Sequence, residues 1–151
     1  MKKFIFVVTV LQICSSVFSQ EYVYYNLNEG KELSDISKYQ TDKPEEIIFN
    51  VPEEIKNGIF TVPLIYLDQL VDFLVSWTDD NYLKIKSIHD WICCNIPYDI
   101  AAYNKGEIKI EQPWITLRFR TAVCGGYSTL FNYMARKAGF EAEYVGGYTK
   151  G

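Results

Sequence analysis

Histidine is nearly absent from this sequence: 151 residues hold one, His89, and none follows Cys124. Basic residues are outnumbered, with 15 Lys and Arg against 19 Asp and Glu, for a net charge of −4. Such a chain lacks the basic footprint of a nucleic-acid binder. The mild acidic excess speaks for solubility and names no partner. After Phe18 no apolar run is long enough to cross a bilayer. Internal repeats and low-complexity tracts are missing as well. What is present is apolar and aromatic: 48% of residues are hydrophobic and 16% aromatic, with 12 Tyr. That suffices for a core, and the length allows one small domain once an N-terminal segment is set aside.

That segment reads as a secretory signal peptide over residues 1–19. Met1-Lys2-Lys3 is a short basic start, Phe4 to Phe18 is mostly apolar, and Val17-Phe18-Ser19 supplies residues suited to cleavage after Ser19. A buried N-terminal helix and an uncleaved anchor are the competing readings. The run is shorter than the ~20 residues of a membrane-spanning helix, which favours cleavage. Ile13 precedes Cys14 where a bacterial lipoprotein site prefers a small residue, so no lipid attachment is expected. The expected location is secreted or periplasmic, with no membrane contact after cleavage. The mature chain then carries Cys93, Cys94 and Cys124, an odd number that points to one free thiol. Cys93 and Cys94 are adjacent, and a bond between them would be strained. A disulfide from either to Cys124 is the competing reading.

Residues 20–58 read as a polar leader, interrupted by Pro44 and Pro52, with short extended pieces at 21–25 and 47–49. The pattern changes after Pro63. Leu64, Leu67, Leu70, Val71, Leu74 and Trp77 recur at helical spacing. Thr78-Asp79-Asp80 breaks that helix and caps the next, expected from Asn81 to Asn95 with an Ile85, Ile88, Ile92 stripe and a stop at Pro97. Residues 99–115 read as a long loop, the kind that often carries function. A third helix is expected from Cys124 to Ala138, with Tyr127, Phe131, Met134, Ala135 and Ala138 on one face. Gly139 ends it, and Phe140 to Val145 alternates as a strand does.

Cys124 is the candidate catalytic residue. It lies where a loop turns into a helix, and a helix N-terminus favours thiolate. A helical wheel puts it with Ser128, Phe131 and Ala135, turned toward the packed face. Gly125 and Gly126 leave first-turn amides uncovered, which suits stabilisation of an oxyanion during attack on an acyl group. The residues alone support equally a small buried cysteine at the head of a core helix.

A resemblance tips that balance. Lys84-Ile85-Lys86-Ser87-Ile88-His89-Asp90-Trp91-Ile92 and Asn95-Ile96-Pro97-Tyr98-Asp99 are followed by Arg120-Thr121-Ala122-Val123-Cys124 with Gly126-Tyr127, then by Phe140 and Gly146-Gly147-Tyr148-Thr149-Lys150-Gly151. Together they resemble the N-terminal half of a transglutaminase-like domain, near its kyphoscoliosis-peptidase branch, over roughly residues 59–151. The resemblance implies an α+β fold with a papain-like core, here truncated: helices, one headed by the nucleophile, then the start of an antiparallel sheet. It maps Cys124 onto the family nucleophile. It implies thioester acyl transfer on protein or peptide amides, as peptidase, crosslinker or deamidase, with no cofactor and no metal needed for that step.

The family's histidine base and orienting aspartate have no counterpart in this sequence. His89 falls on the second helix and is expected to be a partly buried structural residue. Asp99 and Trp91 are expected to serve a turn and the core, and Tyr127 to pack behind the nucleophile. Two readings follow. In the favoured one the chain is a piece of a longer thiol-dependent enzyme, and the 151 residues alone are marginally stable and inactive. In the other it is a degenerate relative, a non-catalytic surface or interaction module. If the signal reading is right, the exported protein begins at Gln20, as N-terminal sequencing would show. A product that retains Met1 or residues 1–19 would refute it.

Overall fold

The computed structural model describes residues 41–106 and 112–147, together with the paired backbone of 25–26 and 31–32. The expected signal peptide and Tyr148 to Gly151 lie outside the described residues. Tyr25–Asn26 (β1) and Lys31–Glu32 (β2) pair antiparallel. Seven helices follow among the described residues: α1 (Lys43–Phe49), α2 (Glu53–Gly58), α3 (Pro63–Val75), α4 (Asn81–Asn95), α5 (Ile100–Asn104), α6 (Pro113–Phe119) and α7 (Cys124–Lys137).

Local chemistry sets most of these boundaries. Pro44, Pro63 and Pro113 stand in the first turns of α1, α3 and α6, where a fixed φ helps and a missing N–H costs nothing. Asp80 caps α4, its Oδ1 accepting from the backbone N–H groups of Tyr82 at 2.9 Å and Leu83 at 3.2 Å. Asp99 caps α5 in the same way, accepting from Ala102 N at 2.8 Å. α6 ends at Arg120, whose backbone is left-handed at φ 55°, a conformation that costs a non-glycine residue roughly 1–2 kcal/mol.

The core joins α3, α4, α6 and α7. α3 packs on all three of the others, and α4 and α6 each pack on α7. Leu67, Leu70, Val71 and Leu74 come from α3, Ile88, Trp91 and Ile92 from α4, Leu117 from α6, and Leu130 and Met134 from α7. α1 lies against α4 and α2 against α3, so Ile48, Val51 and Ile55 are core residues too. The stretch 47–49 is therefore helical, not extended. Ile48 gains a buried position that an edge strand without a partner would not give it.

Two expectations about elements are overturned. The loop expected over 99–115 contains α5 and the start of α6. Its polar appearance came from caps and turn residues, Asp99 and Gly106 among them, the latter at φ 70°. The expected α+β architecture is not what forms: the described residues are helical, and no sheet is built after α7. Phe140 to Gly147 takes no regular structure. Alternation alone does not make a strand; a ladder partner is required, and the described residues offer none to this stretch. Val145 accordingly stays 83% exposed.

Leu64, expected in the α3 stripe, is instead 72% exposed, while Leu70 is fully buried. Leu70→Ala should therefore cost about 2–5 kcal/mol of stability and Leu64→Ala less than about 0.5 kcal/mol. Urea denaturation of the two variants checks the contrast.

Candidate functional site

Cys124 is the first residue of α7, and its thiol is exposed. Several interactions hold that helix start in place. The exit of α4 and the approach to α7 run side by side as a parallel bridge between Tyr98 and Ala122. Asp99 N–H donates to Ala122 O at 2.8 Å, and Ala122 N–H to Pro97 O at 3.3 Å. Thr121 Oγ1 donates to the same Pro97 carbonyl at 3.1 Å. The Tyr127 hydroxyl then reaches back from α7 to donate to Ile96 O. Arg120 closes the approach, its guanidinium 4.2 Å from the Phe60 ring centroid, and Phe60 stacks on Trp91 with centroids 6.3 Å apart.

The first turn of α7 has no side-chain cap, since Val123 at the N-cap is apolar. The leading N–H groups of a helix have no partner within it, and here they carry the positive end of a 14-residue helix. Ser128 Oγ donates to Cys124 O at 2.8 Å, which satisfies a carbonyl and leaves those donors as they are. Glycine at 126 is a steric requirement. A Cβ there would lie 2.8 Å from both Ala122 Cβ and Thr116 Oγ1. Thr116 is fully buried, and its Oγ1 has no hydrogen-bond partner, so the close approach of α6 to α7 is bought with an unsatisfied hydroxyl.

Tyr98 lies near Cys124. Burial pushes the Tyr98 pKa above the usual phenol range, and the charge of the Cys124 sulfur adds to that rise. The ring stacks on Tyr127, with centroids 6.1 Å apart, and meets Tyr103 edge-on at 6.1 Å. An acyl group reaching Cys124 would thus meet a thiol, the first-turn amides and one phenol.

The structure brings together some of the residues singled out from sequence and separates others. Cys124 heads the third long helix as expected. Its thiol does not turn toward the packed face: it is exposed, and Leu130, Met134 and Ala135 are buried instead. Tyr127 stacks on Tyr98 and bonds Ile96 O, Asp99 caps α5 at the exit of α4, and Trp91 is core as read. His89 is partly buried as read, its side chain 55% exposed. It contacts Asp90 and Cys93 on its own helix. Tyr98 was read only as part of the turn at the α4 exit; its place near Cys124 follows from its pairing with Ala122, which no local pattern in the sequence reports. Cys93, Cys94 and Cys124 form no disulfide. Among the described residues, no group of three or more His, Cys, Asp or Glu side chains could hold a metal ion. A cavity of about 520 Å³, lined by Trp114, Tyr133, Arg136, Lys137 and Tyr144 among others, does not include Cys124.

Gly126→Ala tests the packing of the helix start. It should destabilise the chain by about 1–3 kcal/mol, and Gly126→Ala combined with Thr116→Ala, which removes the facing hydroxyl, should recover part of that loss in the same denaturation assay.

A family model described as the transglutaminase-like superfamily matches residues 68–151. Over 85 residues the chain is 38% identical to kyphoscoliosis peptidase of Homo sapiens and 34% identical to that of Mus musculus, alignments that cover 56% of this chain. The chain spans only 13% of the length of each of these relatives. No solved structure matches it significantly. Because the family model covers more than half of the sequence, from α3 through α7 and beyond, the chain belongs to the transglutaminase-like superfamily.

Proposed function

We propose that this chain carries the nucleophile of an exported, thiol-dependent acyl-transfer domain that acts on protein or peptide amides. The observation that supports it most is the exposed Cys124 thiol at the head of α7 in a member of a thiol-enzyme superfamily. Cys124 attacks the amide carbonyl, the first-turn amides hold the oxyanion, and the amine leaves as a thioester forms. Water then completes hydrolysis, or a lysine amine completes crosslinking.

The chemistry needs a base, and His89 is engaged on α4 with Asp90 at 2.9 Å and Cys93 at 3.6 Å. We assign the base to sequence beyond these 151 residues, for which the much greater length of the relatives leaves room. On this reading the 151-residue chain alone is inactive. The same engagement of His89 favours a second reading, a transglutaminase-like interaction module that binds peptide and does not react.

Iodoacetamide labelling of the full-length protein separates the two. Cys124 should be alkylated near pH 7 at least about tenfold faster than a free cysteine, and Cys124→Ser should abolish peptide-amide turnover. Labelling no faster than free cysteine, with no ammonia or amine released from a glutamine peptide, would leave the binding module.

A further inference from the structure

Cys93 belongs to a second arrangement that the reading of Cys124 leaves unused. His89 and Cys93 are one helical turn apart on α4 and share a face. Cys93 Sγ lies 3.6 Å from His89 Nε2 and 4.0 Å from Nδ1. His89 Nδ1 lies 2.9 Å from Asp90 Oδ1. Lys86 Nζ donates to the other carboxylate oxygen, Oδ2. Carboxylate, imidazole and thiol therefore stand in series on one helix, and both His89 and Cys93 are exposed.

We propose that Cys93, with His89 and Asp90, is a second reactive thiol site that exchanges with small disulfides to form a mixed disulfide at the surface of α4. The imidazolium supplies the cation that a sulfur anion needs, and Asp90 fixes the ring by its hydrogen bond to Nδ1. The His89 pKa is pushed up to about 10, first by the Asp90 hydrogen bond and then by the Cys93 contact, against the opposing effect of burial. Asp90 is held below the usual carboxylate range: burial works to raise it, and hydrogen bonds from His89 and Lys86 outweigh that. The Asp90 contact thus favours the protonated ring. Around the sulfur, α4 contributes His89, Asp90 and Lys86, and α7 contributes the Tyr127 phenol, pushed up to about 12 by burial and then by the charges of Cys93 and Tyr98. Among the described residues, the side-chain charges that act on His89 are those of Asp90 and Cys93.

The step balances without further reagents. The Cys93 thiol loses its proton to solvent, and its sulfur attacks one sulfur of the disulfide. That S–S bond breaks, a new one forms to Cys93, and the departing thiolate takes up a proton. Cys93 is oxidised, and one half of the reagent is reduced to thiol.

The test uses the full chain with Cys14→Ser, Cys94→Ser and Cys124→Ser, so its outcome is independent of any role for Cys124. Oxidised glutathione is the probe, and intact mass reports the mixed disulfide. At pH 6 this chain should react about tenfold faster than the same chain carrying His89→Gln. The gap should close toward pH 9. His89→Lys, which restores a cation one turn from the sulfur, should recover part of the rate. Circular dichroism confirms that each variant keeps its helices; His89 is exposed, so Gln is accommodated. Equal rates for the His89 and His89→Gln chains at pH 6 overturn the proposal, as does a His89→Lys chain no faster than His89→Gln.

Discussion

Two short stretches of backbone, 96–99 and 121–123, lie side by side and carry the whole of the candidate site. Asp99 N–H to Ala122 O, Ala122 N–H to Pro97 O and Thr121 Oγ1 to Pro97 O fasten the end of α4 to the beginning of α7. Without that tie, Val123 and Cys124 would follow a free turn after α6, and the helix start would have no fixed position. Ile96 is buried, and so are Ala122 and Val123, which shields these bonds from water and makes them costly to exchange. Tyr98, Asp99, Cys124 and Tyr127 are all positioned from the same few residues. The tie also explains why Arg120 tolerates a left-handed backbone. The chain must reverse between α6 and the tie, and the contact of Arg120 with Phe60 contributes roughly 0.5–1 kcal/mol or more against the strain.

The close approach of α6 to α7 completes the constraint. Gly126 has no room for a side chain because Thr116 and Ala122 press on it, and Thr116 accepts an unpaired hydroxyl to do so. Nature could have filled this gap with an apolar contact between wider-spaced helices. The short spacing instead keeps Gly125 and Gly126 buried while the thiol ahead of them stays outside. The backbone of the first turn is thus packed against its neighbours, and Cys124 is reached from solvent.

The three long helices α3, α4 and α7 were legible in the sequence because their signals are local, whereas the short α1, α2, α5 and α6 were read as leader or loop. Asp80 before an apolar period, Pro97 after it and Gly139 past α7 each act through nearby backbone, so α4 runs over the expected residues. The orientation of Cys124 was not legible. A helical wheel assumes a preceding turn for each side chain to lie against, and side chains lean toward the helix N-terminus. The first residue has no such turn, so Cys124 leans past the loop into solvent. Leu130 was overlooked for the opposite reason: its burial in the shared core comes from tertiary packing, which no local pattern reports. The strand expected at Phe140 to Val145 failed for a related cause. Alternation is a property of one segment, but a sheet is a property of two, and the described residues provide no second one.

The chain's single imidazole is already committed by these contacts. His89 lies on the face of α4 that carries Cys93, held by Asp90 and backed by Lys86. To serve Cys124 it would have to give up the Asp90 bond that raises its pKa most. A ring whose protonated form Asp90 favours is also a poorer acceptor for a thiol proton. The two sulfurs therefore sit in different electrostatic settings, Cys93 beside a cation and Cys124 beside a phenol and a helix terminus. Between these settings stands the stacked pair of Tyr127 and Tyr98, the first acted on by the charge of Cys93 and the second by that of Cys124. Neither phenol ionises near neutral pH, since burial pushes both above their ordinary value. The pair can position and exclude water, but it cannot carry a proton away from either sulfur as a base would. On the proposed reading, Cys124 draws its base from elsewhere in the protein, while Cys93 draws on residues that α4 itself supplies.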